Sequence, residues 1–227
     1  VTCLVDSFYP QTGEAVVSIF QRLGISVDFA RDQTCCGQPP FSAGLHVEAR
    51  PLAQHTIEVF EKTTGDIVMP SGSCAHMMKH NYLELFRDDP VWLPRAQSLA
   101  NRVYEFTEYL VDKLGVTDVG AYHPSCHTLR GMRIDRQPRA LLANVKGAQI
   151  VELPAAEDCC GFGGIFSVEH PELSAELLKR KISNLETSES PTLVLVEAGC
   201  LMHIAGGLHR QKKSQRVVHI AEVLASQ

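Results

Sequence analysis

The cysteines of this chain fall into two sets related by one translation, and any fold it adopts must satisfy that relation. Cys3, Cys35, Cys36 and Cys74 are answered by Cys126, Cys159, Cys160 and Cys200 at offsets of 123, 124, 124 and 126 residues, which accounts for all eight cysteines. Buried structural thiols would scatter without period, so an in-register duplicate points to two copies of one unit, each carrying its own set of ligands. Flanking residues repeat as well. Cys35-Cys36-Gly37 matches Cys159-Cys160-Gly161, and Asp66-Ile67-Val68-Met69-Pro70 ahead of Cys74 matches Thr192-Leu193-Val194-Leu195-Val196 ahead of Cys200. The stretch from Arg102 to Leu110 aligns with that from Arg216 to Leu224, which places a boundary near Gly115 and predicts two domains, 1–114 and 115–227.

Each unit reads as alternating strands and helices. In the first, a strand ends at Cys3, with Val1-Thr2-Cys3-Leu4-Val5 as the end of a strand that begins before residue 1. A helix over Gly13 to Leu23 follows, then a short strand over Ser26 to Phe29 and the Cys-Cys-Gly loop. A helix from Ala43 to Lys62, the strand Ile67 to Met69 and a helix opening near Cys74 complete the unit. The second repeats this with strands over Val119 to Tyr122, Gln149 to Leu153 and Thr192 to Val196, and a helix from Pro171 to Leu185. Short apolar strands separated by helices predict an α/β protein: two tandem, pseudo-symmetric Rossmann-like units with parallel sheets flanked by helices.

Functional groups of an open parallel sheet gather beyond the carboxyl ends of its strands, where the cysteines stand. Cys74 and Cys200 are expected in the first turn of a helix, with Ser73 and Gly199 as N-caps, because a helix N-terminus favours thiolate and offers N–H groups to sulfur. Gly37 and Gly161 are expected at positive φ, letting the backbone close over bulky sulfur. Four thiolates per unit suit either zinc or an iron–sulfur centre. Adjacent cysteines with distant lone partners fit a multi-iron centre better than the close Cys-x₂₋₄-Cys pairs of structural zinc.

A formal charge of −5 and no basic run exclude a nucleic-acid partner. No stretch approaches the roughly 18–20 apolar residues of a membrane span, and no secretory signal is legible, so the expected compartment is the cytoplasm. Cysteines there serve metal or redox chemistry, not disulfides. Gly161-Phe162-Gly163-Gly164 lacks the Gly-x-Gly-x-x-Gly order of a dinucleotide loop. His76 and His80 are spaced to share a helix face, but without a third close donor they read as surface residues; His123 and His127, which bracket Cys126, read as local tuning groups.

The cysteine spacing resembles that of the cysteine-rich CCG domain family, seen in heterodisulfide reductase and in the glycolate oxidase iron–sulfur subunit. The likeness covers essentially the whole chain. Cys-Cys-Gly-Gln-Pro at 35–39, Pro-Ser-Gly-Ser-Cys at 70–74, Cys-Cys-Gly-Phe-Gly-Gly at 159–164 and Gly-Cys-Leu-Met-His-Ile at 199–204 resemble the lactate-utilisation protein A family in particular. The resemblance implies an oxidoreductase subunit: an iron–sulfur electron-transfer component of a multi-protein system oxidising L-lactate to pyruvate. It also implies a 4Fe-4S cluster in each domain, a ferredoxin-type iron–sulfur partner and a third small subunit. In the heterodisulfide reductase relatives the motif closes with Cys-x-x-Cys, whereas here those last positions are Met77 and His203. His203 is therefore a candidate additional ligand, with the Met77 thioether as a weaker donor. The alternative is an interaction or structural module holding zinc without redox activity.

Overall fold

A computed structural model describes residues 3–115, 124–143 and 151–226, with the backbone alone for Cys3. The expected strand over 119–122, residues 149 and 150 of the strand expected over 149–153, and His123 lie outside the described residues.

The first half opens with α1 (Cys3–Phe8), α2 (Pro10–Arg22), α3 (Gln38–Ser42) and α4 (His46–Glu61), and continues through β1 (Ile67–Met69) and α5 (Gly72–His76). A π-helical turn (Met77–Asn81), α6 (Tyr82–Leu85), α7 (Trp92–Ala100), β2 (Val103–Glu105), α8 (Phe106–Glu108) and a second π-helical turn (Tyr109–Lys113) complete it. The second half comprises a third π-helical turn (His127–Gly131), α9 (Arg136–Leu142), α10 (Phe166–Glu169), α11 (Pro171–Thr187), β3 (Thr192–Leu195), α12 (Ala198–Arg210), β4 (Arg216–His219) and α13 (Ile220–Ala225).

The protein mixes helices with parallel strands, and the strands keep the repeat. Ile67 of β1 pairs with Val103 of β2, and Leu193 of β3 pairs with Val217 of β4, both in parallel. Among the described residues each sheet has only these two strands, so the multi-stranded sheet expected of each unit is not formed there. The strand expected to end at Cys3 is instead the start of α1. Nor is there a strand over Ser26–Phe29 or over residues 151–153. Alternating apolar residues make a strand only beside a pairing edge, and here Val27 and Phe29 stay 43 % and 52 % exposed with no ladder.

Apolar periodicity sets the helix faces. α2, begun by Pro10, buries Ala15, Val16, Ile19 and Phe20 along one stripe. That stripe meets α13 from the other end of the chain. Thr12 Oγ1 donates to Glu222 at 2.6 Å, and the Arg22 guanidinium donates to the Leu224 carbonyl at 2.7 Å. The central core accordingly joins Phe20, Phe106 and Leu110 to Leu142, Val196 and Leu224, continuous across position 115. Flanking it, one cluster gathers Ile57, Met69, Met77, Met78 and Tyr82 around Cys36 and Cys74, and another gathers Leu178, Ile182, Leu195 and Ile204 around Cys160 and Cys200. Among the described residues no helix is long and apolar enough to cross a membrane.

Candidate functional site

The loops after the Cys-Cys pairs owe their shape to their glycines. Gly37 and Gly161 both take the left-handed conformation expected of them, with φ of +83° and +90°. A Cβ at Gly161 would stand 2.5 Å from the Ser174 carbonyl oxygen of α11, and one at Gly37 would stand 3.2 Å from the Ala49 oxygen of α4. In both halves the long helix after the loop presses directly on the turn that presents the thiols. The Ser174 hydroxyl returns a hydrogen bond to the Gly161 carbonyl at 2.8 Å, and the buried Tyr82 hydroxyl donates to the Cys36 carbonyl at 2.8 Å.

Cys74 and Cys200 are each the third residue of their helix, α5 and α12, as expected for thiols in a first turn. Their caps differ from expectation: the N-cap positions are Ser71 and Glu197, not Ser73 and Gly199. Ser71 makes no capping bond with its own helix. The backbone N–H of Ser73 donates instead to Glu197 Oε2 at 2.8 Å.

These elements converge on one cavity of about 210 Å³, lined by Cys35, Cys36, Cys74, Cys126, Cys159, Cys160 and Cys200. All seven cysteines whose side chains are described thus face a common space, and none is in a disulfide. The sets touch in the same pattern. In the first half Cys36 is hydrogen-bonded to Cys35 and Cys74. In the second, Cys160 is hydrogen-bonded to both Cys159 and Cys200, with 3.0 Å between the sulfurs of Cys160 and Cys200. Cys126 adds a bond to Cys159, whose sulfur also accepts from the Gly161 N–H at 3.3 Å. A larger groove of about 670 Å³ between α2, the 25–33 segment and β1 is lined by no cysteine among the described residues.

Such contacts divide the protons unequally. Hydrogen bonds from Cys126 and Cys160, the Gly161 N–H and the positive influence of His127 hold Cys159 well below the ordinary thiol range, against the opposing effect of burial. Cys160 and Cys126 are pushed up, first by donating to Cys159 and then by neighbouring sulfur and burial. Cys36 is pushed up in the same way by Cys35 and Cys74. Neighbouring sulfurs that push one another up can all ionise only around a cation, and soft thiolates select zinc or iron–sulfur centres.

Two ligands of one tetrahedral zinc stand about 3.8 Å apart, given Zn–S bonds of about 2.3 Å. The Cys160–Cys200 contact is closer than this and would open slightly around a metal. Among the described residues no group of His, Cys, Asp and Glu converges on a single ion position. The thiols are instead distributed around the cavity wall.

The histidines take different places around the cavity. His203 lies behind Phe162, a wall residue of the cavity, with ring centroids 5.9 Å apart and its Nε2 3.3 Å from the Ser174 hydroxyl; it is not among the lining residues. Met77 is fully buried in the first core. His127 does line the cavity, with Nδ1 3.9 Å from Cys126 Sγ. His76 and His80 stand with ring centroids 5.2 Å apart, and His127 brings a third ring 5.9 Å from His76.

Two further residues carry no signal in the sequence. Glu197 lines the cavity and is 6 % exposed. Burial first, then the negative character of Cys74, push its carboxyl up, while the bonds from Ser73 and Ser71 pull it down. Lys181, fully buried on α11, donates to the Ala155 and Ala156 carbonyls at 3.1 Å each, in the loop leading to Cys159. Burial lowers its pKa, opposed by Asp158 and by the thiols of the second set. A capping acid and a lysine in an amphipathic helix have no distinguishing pattern in one sequence.

A cysteine-rich domain family model, CCG, matches residues 1–79 and 120–205. The chain is 46 % identical over 232 aligned residues to lactate utilization protein A of Exiguobacterium sp. (strain ATCC BAA-1283 / AT1b), covering 99 % of this chain and 94 % of that protein. It is 44 % identical to lactate utilization protein A of Bacillus pumilus (strain SAFR-032), covering 100 % and 97 %. To lactate utilization protein A 2 of Bacillus cereus (strain AH820) it is 43 % identical, covering 99 % and 96 %.

Proposed function

Because this chain belongs to the cysteine-rich CCG domain family and, within it, to the lactate utilization protein A family, we propose that it is an iron–sulfur electron-transfer component of a system oxidising L-lactate to pyruvate. The observation that carries the proposal is the thiol-lined cavity shared by both halves. Cys35, Cys36 and Cys74 with Cys3 form one ligand set, and Cys126, Cys159, Cys160 and Cys200 form the other. One 4Fe-4S cluster per set is the stoichiometry we propose, with each half read as a reduced Rossmann-like unit. A bound cluster supplies one-electron acceptance and release at a potential set by its surroundings.

The protein's own residues shape those surroundings. Gly37 and Gly161 let the loops close over sulfur, and the Gly161 N–H donates to Cys159. Cys36, Cys74, Cys160 and Cys200 are buried, which excludes water from much of the ligand shell. Lactate oxidation releases two electrons and two protons, so two facing one-electron centres suit a relay that passes both onward. The expected partners are a ferredoxin-type iron–sulfur subunit and a third small subunit, in the cytoplasm.

Two adjacent cysteines in each set, joined by lone partners from other loops, favour an extended group over a lone zinc ion held by close Cys-x₂₋₄-Cys pairs. Anaerobic purification or reconstitution, followed by visible absorption and assays for iron and acid-labile sulfide, tests the proposal. Iron and sulfide in comparable amounts with a brown chromophore are expected. A colourless protein holding zinc and no sulfide would overturn the reading in favour of a structural module.

A further inference from the structure

We infer that Glu197 is a positioning residue shared by the two cysteine sets: one carboxylate that holds the N-terminal turns of α5 and α12 in register across the cavity. The inference rests on the reading of that cavity as the metal centre. Glu197 is the N-cap of α12 and accepts from the Gly199 N–H of its own helix, a long contact of 3.5 Å. Its other bonds all cross to the first half. Oε2 accepts the Ser73 N–H at 2.8 Å, while Oε1 accepts the hydroxyls of Ser71 at 2.9 Å and Ser73 at 3.0 Å. These partners lie 124 to 126 residues away in the chain.

The capping arrangement makes the crossing necessary. The N-terminal N–H groups of a helix need an acceptor, normally the side chain of its own N-cap. Ser71, the N-cap of α5, leaves that task and turns its hydroxyl to Glu197. So the turn carrying Cys74 is capped by the residue that caps the turn carrying Cys200. The two halves also pack without clearance there: a Cβ on Gly72 would fall 1.9 Å from Thr128 Oγ1. A charge-assisted, buried set of bonds fixes distance and angle more tightly than neutral pairs do. The repeat makes this asymmetric, because Ser71 is what the first half carries at the position of Glu197.

The test measures alkylation of each cysteine by mass spectrometry, on anaerobically reconstituted and on metal-free full-length protein. Ser71→Ala/Ser73→Ala alters only the first half and leaves Glu197 itself in place. It is expected to raise labelling of Cys200 at least threefold. Glu197→Gln is expected to raise labelling of Cys74 by a similar factor. Glu197→Asp keeps the charge but is one methylene short of the Ser73 N–H, and is expected to match Glu197→Gln; near wild-type labelling in this variant would mean that charge alone matters, and would overturn the inference. Combining the serine and glutamate changes is expected to add little, since they remove one interaction. Should the double serine variant fail to fold, Ser71→Ala deletes one crossing bond and gives the same sign at smaller size. Cys200 unmoved by the serine changes and Cys74 unmoved by Glu197→Gln, in folded proteins, would overturn the inference. Failure of the wild type to bind iron and sulfide would instead overturn the cluster reading, with the metal-free labelling still deciding the role of Glu197.

Discussion

At the scale of single residues, the halves differ most in buried charge. Lys181 stands in α11 against the loop of the second set, whereas Thr56 occupies the corresponding place on α4 and satisfies its hydroxyl on the Leu52 carbonyl at 2.9 Å. An ammonium in a poorly solvated site favours added negative charge nearby. Lys181→Met is therefore expected to lower the midpoint potential of the second centre and to leave the first nearly unchanged, as read by redox titration followed by electron paramagnetic resonance. The same change leaves two carbonyls without their donor and should cost about 1–3 kcal/mol of stability, measurable by chemical denaturation. Cys36→Ser and Cys160→Ser are each expected to lose the cluster of their own half, reducing bound iron by about half, because each sits between two neighbouring thiols of its set. The cysteines that line the cavity were legible in the sequence because their spacing is itself the signal. Glu197 and Lys181 were not, since their roles depend on groups brought near only by tertiary packing.

At the scale of elements, the two second strands end on buried titratable caps at matching register. Met69 pairs with Glu105 at the end of β2, and Leu195 pairs with His219 at the end of β4. Glu105 Oε2 accepts from the N–H groups of Thr107 and Glu108, and His219 Nδ1 accepts the Ala221 N–H at 3.2 Å. Burial pushes the Glu105 carboxyl up to about 7 and pulls His219 down to about 4. The signs oppose each other. Between about 4 and 6.5 the unfolded chain binds more protons than the native one at His219, so stability rises with pH and is fully present above that range. Between about 4.5 and 7 the native state binds more protons at Glu105, so stability is full below that range and lost as pH rises through 7. The two contributions offset each other through the shared window, so wild-type denaturation midpoints should change little there; Glu105→Gln, which keeps the accepting oxygen, should leave them rising from about pH 4 to 6.5, and His219→Gln should leave them falling from about pH 4.5 to 7, each by an amount on the order of 3 kcal/mol. Elements themselves were legible where periodicity and a pairing edge coincide: β1, β3, α2 and α11 fall where the sequence pattern puts them. Ser26–Phe29 has the composition of a strand without the edge, and Cys3–Phe8 shows that a short apolar segment does not distinguish strand from helix.

At the scale of the whole molecule, the repeat was plain in the sequence, but the way its copies meet was not. Both sets face one cavity, and α2 packs on α13, so the central core belongs to neither copy alone. Phe106, fully buried there, is expected to cost about 3–5 kcal/mol when replaced by alanine. The loss should appear as a lower midpoint of one transition for the entire chain; two separate calorimetric transitions would contradict the shared core. The common cavity also has a consequence in time. Cys74 and Cys200 are made 126 residues apart, an interval of about 6–25 s at ribosomal elongation rates of about 5–20 residues per second. Through that interval the early sulfurs have no opposite wall, and the packing of their own half is what the chain offers against oxygen or a stray metal ion.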